Sequence, residues 1–383
     1  MSNQFLMPSK VYLGKNALID CFNTIQIPGK KALLVTDESM VKFGYVNTLI
    51  KLLEIKNTSY EIFDQVNFEP TDNCVMKGLE LYQSTQCDFL IGLGGGSPLD
   101  AMKAIAMISS SDKPLTDYTS SSFEQTRPSM IAIPTTAGTG SETTQFTIIT
   151  DTKRDIKMLL KGSKVLPDIA IIDPSFTLSA PSKVTASTGI DALCHAIEAY
   201  TSKKAQPLSS LYALDAIKKI FVSLPLCFSE PSNIDAREQM SIAAFEAGCA
   251  FNNASVTLIH GMSRPIGANF HIPHGLSNAV LMYSCLKYVE NEAQDKFATI
   301  AREINCTTSL NDREACTDFF NALNNLLKTL CIPDIKDIID DKDQFKSLID
   351  KMSKDAYDSG SPSNSLRNIT VEDIQTIYTD LIN

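Results

Sequence analysis

Short apolar runs alternate with helical stretches over the first 180 residues, and this alternation restricts the chain to few folds. The runs end in turn residues and are rich in β-branched and aromatic side chains: KALLVTD (31–37), YEIFDQV (60–66), CDFLIGLG (87–94), SMIAIPTT (129–136) and PDIAIIDP (167–174). The segments between them carry apolar residues at three- and four-residue spacing, as in VNTLIKLLEI, CVMKGLELY and DAMKAIAMI. This pattern predicts an α/β domain in which helices cover both faces of a mostly parallel sheet. Such a sheet binds its ligand at the carboxyl ends of the strands.

The pattern changes after Pro181, where long helical segments such as ASTGIDALCHAIEAYTS and SLYALDAIKKIFVSL replace the strand-like runs. A chain of 383 residues is also longer than one average hydrophobic core and suits two domains. We therefore expect an α/β domain over residues 1–182 and an all-helical domain over residues 183–383. Near the end of the chain, Thr370 is expected to cap a last short helix that has Asp373 in its first turn.

Charge and composition exclude several classes of function. The chain has 34 Lys and Arg residues against 44 Asp and Glu residues, and its net charge of -10 would repel a nucleic acid. No apolar run approaches the roughly 20 residues that a membrane span needs. The N-terminal stretch MSNQFLMPSKVYLGKN lacks the charged start and apolar core of a signal peptide. Ten cysteines without a CxxC pair indicate neither a thiolate zinc cluster nor a dithiol redox motif. We expect a cytoplasmic protein that binds neither nucleic acid nor membrane.

The first candidate site is a glycine-rich turn, FLIGLGGGSPLD, at the end of a predicted strand. Ser97 is predicted to cap the following helix, with Pro98 as its first residue. Gly94, Gly95 and Gly96 permit a close approach that any side chain would block, and the start of a helix attracts a phosphate. The turn therefore predicts a pyrophosphate site. Ser97 stands where the GxGxxG pattern ends in glycine, so a simple tight turn is the alternative.

A threonine-rich segment, IPTTAGTGSETT, follows the next predicted strand. Its hydroxyl groups are small hydrogen-bond donors on a loop, and they suit contacts to phosphate and ribose. A solvated loop would be the alternative if the segment stood alone. Two such loops at the ends of separate strands in one α/β domain favour a nucleotide.

All four histidines of the chain fall within 80 residues, in the predicted helical domain. Asp191 and His195 are four residues apart in GIDALCHAIEAY, so they lie on one helix face with metal-chelate spacing. The segment HGMSRPIGANFHIPHG adds His260, His271 and His274, and its prolines at 265 and 273 are expected to break the helix. A carboxylate with neutral imidazoles suits Fe(II), Zn(II), Co(II) or Mn(II) and is poor for Ca(II).

Taken together, GGGSPLD, PTTAGTGSE, GIDALCHAIEAY and HG…HIPHG resemble the iron-containing (group III) alcohol dehydrogenase family. The resemblance runs in order through about residues 1–300 and is looser beyond. It implies a Rossmann-like nucleotide-binding domain, a helical domain, a metal in the cleft between them, and a homodimer or larger homo-oligomer. The family also includes glycerol, butanol, propanediol and 4-hydroxybutyrate dehydrogenases.

Carried over motif by motif, the resemblance assigns the site residues. The metal ligands would be Asp191, His195, His260 and His274, with His271 outside the set. Asp37 would face the adenosine ribose of NAD, which favours NAD over NADP. The remaining cofactor contacts would be Gly94, Gly95, Gly96, Ser97, Asp100, Thr135, Thr136, Thr139, Thr144 and Lys157.

Three positions depart from the family pattern. Arg264 replaces a histidine that is usually assigned to proton relay or substrate contact, His271 stands where a non-histidine residue is common, and Glu69 replaces a common asparagine. Arginine cannot relay a proton because its pKa exceeds about 12. Either Arg264 binds the carboxylate of a hydroxy acid substrate, or it forms a structural ion pair while His271 handles the proton. We favour the second interpretation, with Arg264 and His271 retained as candidate catalytic residues.

The implied reaction is hydride transfer between a short primary alcohol, or a diol, and NAD, with a divalent metal that lowers the pKa of the alcohol. Iron is favoured by the family, and zinc is the alternative for the same ligands. The alternatives for the reaction are a 4-hydroxybutyrate-type hydroxy acid dehydrogenase and a non-redox enzyme of the dehydroquinate synthase type. From a different class, a nucleotide-binding protein without catalysis is the remaining alternative.

Overall fold

The computed structural model describes residues 3–154 and 156–383 and divides them into two compact units. One unit is Leu6–Ala180, and the other is Pro181–Asn383 together with a short N-terminal segment that ends at Phe5. Positions 1, 2 and 155 lie outside the described residues, and the first two belong to the stretch in which no signal peptide was predicted.

The unit Leu6–Ala180 contains a parallel sheet with helices. Its strands are β1 (Lys10–Leu13), β2 (Lys31–Val35), β3 (Ser59–Phe63), β4 (Phe89–Gly94), β5 (Met130–Pro134), β6 (Phe146–Asp151), β7 (Ile156–Lys161) and β8 (Ile169–Ile172). Its helices are α1 (Ala17–Thr24), α2 (Glu38–Lys42), α3 (Tyr45–Ile55), α4 (Asp72–Ser84) and α5 (Gly96–Ile108).

The main sheet has the strand order β1-β8-β5-β4-β2-β3, and each neighbouring pair is parallel. Strands β4 and β5 are buried at every residue, because helices cover both faces of a parallel sheet and leave no polar side to alternate. The predicted α/β class is confirmed. From β2 the chain continues to β3 on one side and later to β4 on the other, so the order reverses between β2 and β4. A reversal of this kind opens a ligand crevice at the carboxyl ends of the two strands.

Two features of this unit differ from the sequence predictions. Strands β6 and β7 form an antiparallel hairpin that the sequence patterns did not predict. Helix α5 begins at Gly96 with Gly95 as its N-cap, so the prediction of Ser97 as N-cap was wrong by two residues. The reason is local: Gly94 has a φ of 154°, and this turn starts the helix earlier than a side-chain cap at Ser97 would.

The second unit is built from helices and contains no strand among its described residues. Its helices are α6 (Ser182–Thr201), α7 (Pro207–Ser229), α8 (Ile234–Ala254), α9 (Leu258–Phe270), α10 (His274–Tyr288), α11 (Gln294–Glu303), α12 (Asp312–Thr329), α13 (Ile335–Ile338), α14 (Lys342–Asp358) and α15 (Val371–Ile382). Helix α6 is buried on all sides from Gly189 to Thr201, as expected of a central helix, and packs against α7, α8 and α10. Thr370 and Asp373 form the predicted cap of α15.

Pro265 does not break its helix, contrary to the expectation from the sequence. Helix α9 continues through the buried proline, and the chain turns only at His271, which ends the helix with a φ of 54°. Tertiary packing around Pro265 outweighs the loss of one backbone hydrogen bond. No single helix among those described is long and apolar enough to cross a membrane, and only the pair α8 and α9, bent by 103°, meets that threshold jointly.

Candidate functional site

Three helices bring a carboxylate and three imidazoles together in the helical unit. Asp191 and His195 lie on α6, and ligand atoms of these two residues and of His260 on α9 all lie within 4.8 Å of one another, in buried side chains. The distances from Asp191 Oδ1 are 3.9 Å to His195 Nε2, 3.6 Å to His260 Nε2 and 3.7 Å to His274 Nε2. The structure therefore brings together all four residues that the resemblance assigned to a metal.

A glycine permits this convergence. His274 is the first residue of α10, and Gly275 follows it. A Cβ atom at Gly275 would lie 2.6 Å from the carbonyl oxygen of Ser187 on α6, a distance at which atoms clash. Only glycine lets the start of α10 approach α6 this closely, which carries His274 to within reach of Asp191.

Glu198, which the sequence analysis missed, orients one of the imidazoles. It is fully buried on α6, accepts a hydrogen bond from His260 Nδ1, and also accepts hydrogen bonds from Thr257 Oγ1 at 2.8 Å and from the Ile259 backbone nitrogen at 2.7 Å. With its proton on Nδ1, a neutral His260 presents a lone pair at Nε2, on the side of Asp191. The spacing of Asp191, His195 and Glu198 on one helix face was the available sequence signal.

Neighbouring charges oppose the effect of burial on the pKa values of Asp191 and His260. Burial alone would raise the pKa of the Asp191 carboxyl, but the imidazoles of His195, His274 and His260 hold that pKa well below its usual range. Burial disfavours a charged His260, yet the carboxylates of Glu198 and Asp191 raise its pKa to about 9. Desolvation is the main reason that the pKa of His274 falls to about 3, although 40% of this side chain is exposed. The cluster thus holds negative charge that favours a cation.

The contacts of Asn278 indicate how the carboxylate oxygen and the imidazole nitrogens are arranged as possible metal ligands. Its Nδ2 lies 2.6 Å from Asp191 Oδ1, 3.1 Å from His260 Nε2 and 3.2 Å from His274 Nε2, so the acceptor atoms face a common point. Its amide oxygen is buried without a hydrogen-bond partner among the described residues. One carboxylate oxygen and imidazole nitrogens that converge in this way fit a divalent ion of borderline hardness. Phe251 stacks on His195 at a centroid distance of 4.0 Å and restrains that ring.

The two candidate catalytic residues occupy different environments. His271 is exposed at the end of α9 and is not one of the groups that meet at Asp191. The Arg264 guanidinium is partly buried and donates one hydrogen bond to Ser361 Oγ at 3.2 Å. Burial lowers the pKa of Arg264, and the charge of Glu198 counteracts this shift. Among the described residues no carboxylate lies within 4.0 Å of the guanidinium, so the structural ion pair that we favoured is not present there.

In the α/β unit, the glycine-rich turn and the threonine-rich loop lie side by side at the carboxyl ends of β4 and β5. A Cβ atom built on Gly96 would lie 3.1 Å from Thr139, and one built on Gly95 would lie 3.6 Å from Thr136. At Gly94 a Cβ atom would clash with Pro98 at 2.5 Å. A side chain at Gly94 or Gly96 would therefore crowd Pro98 or Thr139, so the glycines let the turn approach the threonine-rich loop closely. The backbone N–H groups at the start of α5 lie at this turn, and proteins bind phosphate at such helix starts.

Asp37 follows β2 and reaches the same turn. Its Oδ1 caps α2 by accepting hydrogen bonds from the backbone nitrogens of Ser39 and Met40, at 2.8 Å and 3.1 Å. Its Oδ2 lies 3.3 Å from the position of a Cβ atom on Gly94. The carboxylate is therefore held next to the glycine-rich turn, at the point where the strand order reverses.

A buried lysine that the sequence analysis did not single out connects the two loops. Lys103 on α5 is fully buried and donates hydrogen bonds to Ser141 Oγ, Thr144 Oγ1 and the Phe146 carbonyl, at 3.0, 2.8 and 2.9 Å. Burial lowers the pKa of Lys103 to about 8, against the opposing charges of Asp100 and Glu142. These contacts fix the loop that carries Thr136 and Thr139.

The remaining predicted cofactor residues are partly engaged within the protein. Asp100 accepts hydrogen bonds from Ser141 Oγ at 2.6 Å and from the Ile148 backbone nitrogen at 3.1 Å. Lys157 pairs with Glu69 at 2.7 Å. Thr135 is buried beside β4, where its backbone nitrogen donates to the Gly94 carbonyl, and Ser97 is half-buried in the first turn of α5.

Comparisons with known proteins agree along the whole chain. The family model described as iron-containing alcohol dehydrogenase matches residues 8–174, and the model of the C-terminal part of the Fe-containing alcohol dehydrogenase family matches residues 185–382. An NAD-dependent methanol dehydrogenase of Bacillus methanolicus is 34% identical over 385 residues, covering 100% of both chains. An NADPH-dependent butanol dehydrogenase of Clostridium saccharobutylicum is 33% identical over 98% of this chain and 97% of its own. The crystal structure of a 1,3-propanediol oxidoreductase superposes with a TM-score of 0.94, at 32% identity and with 100% of both chains covered.

Proposed function

Because the chain belongs to the iron-containing alcohol dehydrogenase family, we propose that this alcohol dehydrogenase transfers a hydride between a short primary alcohol, or a diol, and NAD. The observation that carries the proposal is the convergence of Asp191, His195, His260 and His274, with Glu198 directing the lone pair of His260 toward the same point. A set of oxygen and nitrogen donors that is buried except at His274 suits metal-assisted chemistry on an alcohol oxygen.

The four converging residues would hold one divalent ion, with iron favoured by the family and zinc suited to the same donors. When bound, such an ion supplies a Lewis acid that lowers the pKa of an alcohol and polarises a carbonyl group. The protein contributes the orientation: Glu198 holds the His260 tautomer, Phe251 restrains the His195 ring, and Asp191 keeps its negative charge.

The cofactor would lie at the carboxyl ends of β2, β4 and β5. We infer that the pyrophosphate binds the turn Gly94–Gly96 and the hydroxyls of Thr136 and Thr139, in a loop that Lys103 holds in place. Asp37 supports NAD over NADP, because a carboxylate accepts hydrogen bonds from the ribose 2′-hydroxyl and repels a 2′-phosphate. The two relatives described above differ in the cofactor that their names specify, so the cofactor preference of an Asp37 variant directly tests the choice of NAD over NADP.

For the substrate, we propose a short neutral alcohol. We assign the transfer of its hydroxyl proton to His271, because this side chain is exposed and can exchange protons with water. Arg264 supports a second candidate, a substrate with a carboxylate. Its guanidinium is partly buried, donates to Ser361, and has no carboxylate within 4.0 Å among the described residues, so it keeps hydrogen-bond donors for an anion.

Absorbance at 340 nm tests the proposal. The protein is stripped with a chelator, reloaded with Fe(II) or Zn(II), and mixed with NAD and propanol, butanol, 1,3-propanediol or 4-hydroxybutyrate. We expect NADH to accumulate with the neutral alcohols, and only in the reloaded protein. The rate of NADH formation should fall at least about 100-fold in Asp191→Asn. Asp380→Asn, an exposed position on α15, serves as the matched control. Absence of net NADH with every alcohol would favour a non-redox enzyme and refute the proposal.

A further inference from the structure

The side chain of Asn278 contacts three of the four possible metal ligands. It lies on α10, four residues after His274, so the two side chains share one face of the helix. Asn278 is fully buried, and its Nδ2 lies 2.6 Å from Asp191 Oδ1, 3.1 Å from His260 Nε2 and 3.2 Å from His274 Nε2. Three atoms that suit a metal ion therefore also surround one amide nitrogen.

These contacts determine the orientation of the Asn278 amide. If the amide were reversed, its oxygen would face Asp191 Oδ1 at 2.6 Å, and two acceptors without a proton between them repel each other. The observed orientation leaves the amide oxygen buried without a hydrogen-bond partner among the described residues, which is unfavourable by itself. The acceptors around the nitrogen outweigh this penalty.

A metal ion would compete with the amide for the imidazoles. The Nε2 atom of a neutral imidazole has a single lone pair, which can accept from an N–H group or bind a metal, but cannot do both. A carboxylate oxygen has two lone pairs, so Asp191 Oδ1 can keep its hydrogen bond from Asn278. Metal binding therefore removes the contacts of Asn278 with His260 and His274 but not the contact with Asp191.

The amide also selects the tautomer of His274. An N–H group that donates to Nε2 requires the proton of the neutral ring to lie on Nδ1, and this tautomer presents Nε2 to a metal. Glu198 fixes the same proton position in His260. His274 has no other hydrogen bond among the described residues, so within them its tautomer depends on Asn278.

We propose that Asn278 is a positioning residue of the metal site: its amide holds the imidazole lone pairs toward one point and releases them to the ion. This inference rests on the metal site of the proposed function. Because the amide stabilises the metal-free protein more than the loaded protein, it lowers the affinity for metal. In return, it prevents buried acceptors from facing one another without a donor before the metal binds.

Zn(II) affinity and thermal stability test the competition. In a titration of the full-length protein against a chromophoric chelator, Asn278→Ala should bind Zn(II) about three- to tenfold more tightly than wild type, since a hydrogen bond that only the metal-free protein makes is lost. The melting temperature should fall further in the metal-free variant than in the Zn(II)-loaded variant. Asn278→Ser, whose hydroxyl is too short to reach the acceptors, should behave in the same way.

Asn364→Ala is the matched control. Asn364 is a buried asparagine of the same unit whose Nδ2 donates to Ser255 Oγ and to the Val256 carbonyl, both at 3.0 Å. Its replacement should lower the melting temperature similarly with and without Zn(II) and leave the Zn(II) affinity unchanged. Unchanged or weaker Zn(II) binding in Asn278→Ala, or equal tightening in the control, would overturn the proposal. A wild-type protein that binds no Zn(II) would refute the metal site of the proposed function, and this inference with it.

The tautomer of His274 is an independent readout. The chain has only four histidines, so their ring nitrogens can be assigned by NMR in the metal-free protein with single histidine variants. In wild type, Nδ1 of His274 should carry the proton, and Asn278→Ala should lose this preference, while Glu198 keeps His260 unchanged. The same His274 tautomer in both proteins would contradict the role of Asn278.

Discussion

Replacing Glu198 by glutamine should weaken metal binding while the fold is retained. Glutamine has the same length, and its side-chain oxygen can still accept hydrogen bonds from Thr257 Oγ1 and the Ile259 backbone nitrogen, which lie 2.8 Å and 2.7 Å from the glutamate oxygen. Its amide N–H₂ group, however, would then face His260 Nδ1. The imidazole would have to accept at Nδ1 and carry its proton on Nε2, the atom that faces Asp191.

The expected size of the effect follows from that change of tautomer. Altering the hydrogen-bond partner of a metal-binding histidine typically lowers metal affinity 10- to 100-fold. This corresponds to about 1.4 to 2.7 kcal/mol of binding free energy. Because three of the four hydrogen bonds at the buried carboxylate survive, those from Thr257 Oγ1 and from the backbone nitrogens of Ile259 and His260, the melting temperature of the metal-free protein should change little.

The assay is a competition titration of Zn(II) between the protein and a chromophoric chelator, with thermal unfolding of the metal-free protein measured in parallel. Glu246→Gln is the matched control, because Glu246 is a mostly buried carboxylate of the same unit that pairs with Lys219 outside the histidine cluster. It should leave Zn(II) affinity unchanged.

Wild-type affinity for Zn(II) in Glu198→Gln would refute the assignment of Glu198 as the residue that sets the tautomer of His260. An equal loss of affinity in Glu198→Gln and Glu246→Gln would also refute it, because the effect would then follow from removing any buried charge in this unit.

Three further outcomes are expected. Elemental analysis should show that His274→Ala has lost its metal and that His271→Ala retains it. The reverse pattern would require exchanging these two assignments. Asp37→Ser keeps a capping oxygen for α2 but removes the charge, so it should raise the efficiency ratio of NADP to NAD at least about tenfold in steady-state kinetics; an unchanged ratio contradicts the role of Asp37. Arg264→Leu should leave turnover of propanol and 1,3-propanediol within about threefold, since a neutral substrate has no anion for the guanidinium to bind; a strong wild-type preference for 4-hydroxybutyrate that disappears in this variant would favour the hydroxy acid instead.

Local sequence patterns were sufficient for much of the fold. Helices α3, α4 and α5 follow the apolar spacing of their segments, and the central strands follow the apolar runs. The hairpin of β6 and β7 was missed because the sequences FTIITD and IKMLLK do not alternate apolar and polar residues, although the burial of their side chains largely does, and no tight-turn motif stands between them.

The sequence alone predicted the chemistry of both candidate sites. The four-residue spacing of Asp191 and His195 is a property of one helix, and the glycines after β4 form a turn that needs no distant partner. Local geometry of this kind can be read from a single chain, because residues a few positions apart have separations set by the backbone.

Tertiary structure alone decided which side chains meet. The hydrogen bond from His260 to Glu198 spans 62 positions, and those from Lys103 to Ser141 and Thr144 span 38 and 41 positions. The burial that shifts the pKa of Lys103, and the lack of a carboxylate near Arg264 among the described residues, likewise depend on how distant segments pack. A local pattern determines the angle between near neighbours on one element, but the distance between two elements is set by the packing of every residue between them.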